Sequence, residues 1–435
     1  MKRDVLANYV VLLALFLLPW QTRWMYRDLM IAGDSWEYGR LSVYAVELLI
    51  LLAVSLRGGL RLSPQLRSFV KPVALFLGVL LVSASFSQNI SVALGALPHF
   101  AAAVALFSLI VDERTGVRRA AWAFVAGLLV PCGLAWYQVL TGISPAFSLL
   151  GLASHDAIQL GQSVVETGTG RILRGYGTLP HPNILGGYLS VSLIMLGWLS
   201  HGLKKKSSHV LIAAPVTVFA STLIITFSRS AWLAVSIGFG SLAILALAKR
   251  RALPHRVIPL ITLSSFAVLV TLFVFHSAVF MRVSSLVGSG FVGQPAARLE
   301  TKSIAERAGA YAQFDDVFFS NAVMGVGPGN YTVALATLFP GSPAWSYQPM
   351  HNVFFLALGE IGLILLFPAV MFFRALYRLV REHTSTAEGL FALALLAALL
   401  PIALIDHYLW SLWPGLALAA FSLALALKFK PFAQG

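Results

Sequence analysis

Met350-His351-Asn352 stands where a polar stretch, residues 278 to 350, meets the apolar run from Val353 to Gly362. A histidine at the rim of a membrane helix, facing the largest polar loop, meets both lipid-borne and water-borne groups. An imidazole so placed is suited to take a proton from a hydroxyl as that hydroxyl attacks. Asn352 beside it and the upstream Gly325-Val326-Gly327-Pro328-Gly329-Asn330-Tyr331 mark a polar reaction site at one membrane surface.

Four arginines are candidates to meet an anionic group on the same side. Arg171 and Arg174 belong to a Gly- and Pro-containing segment that ends Leu179-Pro180-His181-Pro182-Asn183. That composition argues for irregular backbone lying over the membrane surface. For Arg171 the alternative is interfacial anchoring. Arg229 lies about one hydrocarbon thickness, ~30 Å of helix, from both Lys206 and Lys249, so it sits in a tight outer hairpin. There it either grips a lipid diphosphate or snorkels to headgroups. Arg307 falls on the apolar stripe of an amphipathic helix expected around 298–320, together with Ile304, Ala308, Tyr311, Phe314 and Phe318. A charge on that face needs a partner, either a structural carboxylate or an anionic substrate.

The elements that must position these groups are membrane helices. With 58% hydrophobic and 11% charged residues, the chain is an integral membrane protein. About twelve transmembrane helices are expected, near 5–20, 41–56, 72–86, 92–111, 120–140, 184–200, 210–226, 231–248, 257–277, 353–373, 389–405 and 408–427. The first reads as a retained span, since no small-residue cleavage site follows it. Most of the 31 Lys and Arg residues collect on the side of the N-terminus, which makes both termini cytoplasmic. The net charge of +14 is therefore a topology signal, and bases scattered over short loops do not form a nucleic-acid surface. The expected organisation is one all-α membrane domain, 1–435, with a large periplasmic loop at 278–350 and a smaller one at 141–183.

No metal site is expected. His181, His351 and His407 lack ligand spacing, and no Asp-x-Asp pair stands on the outer side. Cys132, the single cysteine, falls inside a span and forms no disulfide. Asp406-His407 reads as a polar helix end or as a catalytic accessory. Glu360, one helical stretch beyond His351 and on the opposite face, reads as a brace within the bundle.

The order of these motifs resembles the O-antigen ligase/polymerase superfamily of bacterial inner-membrane glycan transferases. The matching pieces are Arg174 to Asn183, Phe227-Ser228-Arg229-Ser230-Ala231-Trp232, Arg307 with Gly325 to Tyr331, and His351-Asn352 with Gly359 to Gly362. They cover roughly residues 170 to 375. The resemblance implies a fold like that of GT-C-type membrane glycosyltransferases. It also implies transfer, without metal or cofactor, of polysaccharide from undecaprenyl diphosphate to the lipid A–core oligosaccharide at the periplasmic face. His351 then acts as base; Arg174, Arg229 and Arg307 hold the diphosphate; Arg171, His181 and Asn352 are accessory. Inversion at the anomeric carbon follows if no enzyme carboxylate attacks first. Within the superfamily, the short C-terminal segment looks most like the ligase. An O-antigen polymerase and a protein O-oligosaccharyltransferase are the related alternatives. A transporter or flippase of a lipid-linked glycan is the rival of another class. Against it stand the lack of duplicated halves and the scarcity of intramembrane acids.

Overall fold

The computed structural model describes residues 2–168, 170–201, 207–248, 258–287, 298–383 and 386–429. The N-terminal part runs α1 (Lys2–Leu17), β1 (Arg23–Ile31), β2 (Asp34–Tyr44), α2 (Ala45–Arg57), α3 (Pro64–Arg67), α4 (Val70–Ser85), α5 (Ile90–Val111), α6 (Val117–Gly127) and α7 (Leu129–Thr141). Next come β3 (Ile143–Ser144), β4 (His155–Asp156), β5 (Val164–Thr167), β6 (Gly170–Leu173), α8 (Pro182–His201), α9 (Ser207–Ile225) and α10 (Arg229–Ala248). The remainder is α11 (Ile258–Val274), α12 (His276–Val287), α13 (Arg298–Ser320), α14 (Tyr331–Leu338), α15 (Val353–Ile361), α16 (Leu366–His383), α17 (Ala387–Ile405), α18 (Tyr408–Ser411) and α19 (Trp413–Lys428).

Each of the twelve apolar stretches is at least partly helical, yet fewer than twelve are long enough to cross a bilayer. Among the described residues, seven helices have the length and apolarity of a span, or eight if the pair α11–α12, bent by 87°, counts as one. The 13 residues of α2 reach only ~20 Å, short of the ~30 Å hydrocarbon core. The stretch 353–373 is not one helix. Gly362, at φ +76°, ends α15 after nine residues, and a separate helix resumes behind it. The expected amphipathic helix is present as α13.

The chain is mostly helical, and the all-α expectation is corrected by three two-stranded antiparallel pairs. The longest, β1–β2, occupies what looked like a plain loop between the first two spans. Its turn residues Ala32 and Gly33 both have positive φ, the backbone that a two-residue hairpin turn demands. Trp24, Tyr26, Trp36, Tyr38, Val43 and Tyr44 supply the aromatic and β-branched side chains that favour strands.

The core is organised around α8, the most enclosed of the spans, whose flanks are covered by α9, α10 and α17. A second brace holds the segment before α14. The Glu360 carboxylate accepts from Trp410 Nε1 at 2.8 Å and from the backbone N–H groups of Gly329 and Tyr331. Backbone bonds join Val326 N to Gly359 O at 3.0 Å and Gly327 N to Glu360 O at 2.8 Å. A Cβ on Gly325 would stand 2.2 Å from the Glu360 carbonyl oxygen, so only glycine permits this approach. The glycine-rich run is thus a backbone clasp on α15.

Candidate active site

Two arginines fix the turn between α9 and α10. Arg174 Nε donates to Thr226 O at 2.8 Å and Arg282 Nε to Phe227 O at 2.9 Å, which satisfies carbonyls left over at the end of α9. Phe227 sits at φ +48°, an uncommon conformation for a bulky residue, and these bonds hold it there. Arg229 follows as the first residue of α10, half-buried. A helix N-terminus favours negative charge, so a cation there is poorly placed for the helix and well placed for an incoming anion.

From the same turn a chain of buried polar groups runs inward. Arg174 Nη2 donates to Asn183 Oδ1 at 2.6 Å, and Asn183 Nδ2 donates to Asp406 Oδ2 at 2.7 Å. Asp406 Oδ1 accepts from the backbone N–H of His407 at 3.0 Å. Asn183 N also donates to His181 Nδ1 at 3.1 Å, so the proton of neutral His181 is on Nε2, which donates to Ser163 Oγ at 2.9 Å.

His351 stands at the open end of this chain. Its ring meets that of His407 edge-to-face, centroids 4.9 Å apart, and Tyr38 of β2 lies 6.0 Å from His407 on another side. Asn352 caps α15, its Oδ1 accepting from Phe354 N at 3.0 Å and Phe355 N at 3.3 Å. Its side chain therefore fixes the direction of the backbone that carries His351. Arg307, half-buried on α13, has a buried Nε with no hydrogen-bond partner among the described residues.

Burial is the first cause that lowers His351 below the ordinary 6.5; Asp406 opposes it, Arg307 adds to it and Glu306 opposes it. Burial also drives His181 and His407 down to about 3, reinforced by Arg174 for the former and by His351 for the latter. For Asp406, burial raises the value, but the three histidines and the Asn183 bond outweigh it and hold the carboxyl below 3.8. Near neutral pH the site therefore holds three uncharged imidazoles around one carboxylate. Repulsion from Arg307 acts in the same direction, but burial is the larger cause.

The fold brings together His351, Arg307, Arg174 and His181, and it sets Arg229 on the turn that Arg174 grips. Arg171 is placed apart: Nη1 donates to Ile158 O at 2.7 Å and Nε lies 3.8 Å from Glu166 Oε1. These contacts tie down the 141–183 segment. Tyr38, Arg282 and the linking role of Asn183 were missed. Asn183 had a signal, the motif that contains it; Tyr38 had none, because no spacing relates β2 to His351.

An apolar cavity of about 760 Å³ opens on the other side of α15. Its wall starts at Val353, Phe354 and Phe355, directly after His351-Asn352, and continues over Phe76, Phe100 and Phe372. The polar cluster and the apolar cavity are thus linked by the short segment from His351 to Val353. Among the described residues, no three His, Cys, Asp or Glu side chains form a group able to hold a metal ion.

No curated protein matches the chain. Residues 213–370 match a family model, Wzy_C, described as O-antigen ligase. The matched segment carries Arg229, Arg307 and His351, whereas Arg174, His181, Asn183 and Asp406 reach the site from outside it. The match supports an enzyme of the O-antigen ligase/polymerase type, glycosyltransferase-like, in a multi-pass membrane protein. Residues 213–370 are thus similar to the O-antigen ligase family, which supports membership of that superfamily.

Proposed function

We propose that the protein is an O-antigen ligase. It transfers polysaccharide from undecaprenyl diphosphate to the lipid A–core oligosaccharide, at the periplasmic face of the bacterial inner membrane, with both termini cytoplasmic. The observation that carries the reading is the nearness, along the segment from His351 to Val353, of a buried polar cluster and an apolar cavity of about 760 Å³. A donor with a long hydrocarbon tail and a charged head needs both, side by side.

In this reading His351 is the base. Its lowered pKa keeps it neutral at working pH, and the neighbouring Asp406 charge steadies the imidazolium that forms. The acceptor hydroxyl oxygen bonds to the anomeric carbon as its proton passes to His351. The bond from that carbon to the diphosphate oxygen breaks, and the electron pair leaves with undecaprenyl diphosphate. Arg307 and Arg229 offset the charge that develops there, and Arg174 acts from the buried side through Asn183 and the α9–α10 turn. One displacement inverts the anomeric centre. Arg171 takes no part in the chemistry, while His181 and Asn352 orient the groups beside them.

Cells lacking the protein should accumulate polymer on undecaprenyl diphosphate and carry lipopolysaccharide that stops at the core. His351→Ala should reproduce this with normal protein levels in the membrane, and Arg307→Lys should weaken donor use because lysine lacks the planar fork. Core bearing a single repeat in the deletion strain would favour a polymerase. Full transfer by His351→Ala would remove His351 from the base role.

A further inference from the structure

Beneath β2 lies a second, smaller cavity of about 80 Å³ that the reaction above does not use. Arg23, Glu37, Tyr38, Arg40, His99 and Trp413 line it, and Pro349 and Ser411 stand at the end nearest the catalytic groups. That end is the active site's own wall. Ser411 Oγ lies 2.6 Å from His407 Nδ1, Tyr38 packs on His407, and Pro349 precedes His351 by two residues. At roughly 30 Å³ per water, the space holds two or three waters, enough for a charged substituent but too small for a sugar ring.

Its arginines are held differently from those of the core. Arg23 Nη2 and Arg40 Nη1 share one carboxylate, Glu37, at 3.3 Å each, and Arg23 Nη1 reaches Tyr44 OH at 3.2 Å. Arg40 Nε and Nη2 make only 3.4 Å contacts with Ser35 Oγ, and Asp28 lies 4.0 Å from Nε, outside the lining. Charge-assisted bonds normally close to about 2.7–2.9 Å, as Arg174 and Arg114 do here. Glu37 is 39% exposed and free to swing into solvent. Glu360, also in the lining, has its carboxylate engaged by Trp410 and two backbone N–H groups.

We propose that Glu37 is a placeholder, and that this cavity takes a carboxylate or phosphate substituent of the acceptor saccharide, gripped between Arg23 and Arg40. The sugar ring that bears the anion then lies at the mouth against Tyr38, which directs a neighbouring hydroxyl towards His351. This rests on the ligase reading only in naming the acceptor; the anion site itself stands on the cavity and the two arginines.

Binding is tested on the purified full chain in detergent by saturation-transfer NMR, with glucose 6-phosphate, galacturonate and glucose as probes. Wild-type protein should bind the two anionic sugars at least tenfold more tightly than glucose. Glu37→Gln should tighten that binding about threefold, and Arg40→Gln should lose about tenfold. Arg27→Gln, on the same hairpin but outside the lining, is the control. Equal binding of glucose and glucose 6-phosphate overturns the proposal, as does a Glu37→Gln protein that folds and binds no better than wild type. In transfer assays to lipid A–core, Arg40→Gln should raise the acceptor KM about tenfold and leave the donor KM alone. An acceptor KM unmoved in both variants, with active wild type, also overturns it. The predicted order of binding with no transfer by wild type would instead overturn the ligase reading and leave the anion site standing.

Discussion

Replacing Asn183 by alanine tests the link between the active site and the α9–α10 turn. The side chain is 8% exposed and makes two short bonds, 2.6 Å from Arg174 Nη2 and 2.7 Å to Asp406 Oδ2. Hydrogen bonds to charged groups contribute about 1.5–3 kcal/mol each, and an orphaned buried charge costs at least as much. Water entering the space recovers part of this, so the expected loss is about 3–5 kcal/mol. Unfolding in mixed detergent, followed by far-ultraviolet circular dichroism, gives the measurement for Asn183→Ala, Asp406→Asn and the double variant. Because both act on one contact, the double variant should lose clearly less than the two single losses together, with a coupling of about 1.5 kcal/mol or more. Additivity to within about 0.5 kcal/mol would show that no energetic link passes through Asn183, and the chain from Arg174 to His407 would lose its meaning.

Three further outcomes follow from the structure. His351 has a folded-state pKa below 6.5, so transfer should persist as pH falls through 6.5 and its acid limb should lie lower; a limb centred above 6.5 would remove burial as the cause. Since His181 and His407 sit at about 3 in the fold, the unfolded chain takes up protons first. Stability is then full above 6.5 and falls towards pH 3 by about 1.4 kcal/mol per pH unit for each histidine, readable as a drop in the unfolding midpoint. Glu360→Ala removes the acceptor for three donors and should cost about 3 kcal/mol, with faster amide hydrogen exchange across residues 325–331; unchanged exchange there would mean the clasp does not depend on the carboxylate.

Helical stretches, the amphipathic α13, the His351 rim and the arginine at the head of α10 were legible because hydropathy and charge depth are local signals. The brace by Glu360 was legible too, since a lone acid in an apolar helix needs a donor. Among the described residues fewer than twelve helices have the length of a span, because apolarity reports burial as readily as lipid contact: α2 and α15 are apolar but short. The break at Gly362 follows from its close approach to Gly325, which no periodicity reveals. Asp406 and His407 looked like a helix end because sequence distance from His351 hides an edge-to-face contact of 4.9 Å.

The hydrogen bond from Trp36 Nε1 to Thr332 Oγ1 spans 296 residues of chain. A ribosome adding about 5–20 residues per second needs roughly 15–60 s to make that stretch. A hairpin of two strands is marginal by itself in water, so through that interval β1–β2 rests on α2 and α5 alone. Its partners on α14 and the 344–350 segment are synthesised only after most of the membrane helices. Maturation of the site is therefore timed by the chain's own production: the piece that contributes Tyr38 is among the first translated and among the last to settle. Until then it lacks the cover of α14 and the 344–350 segment.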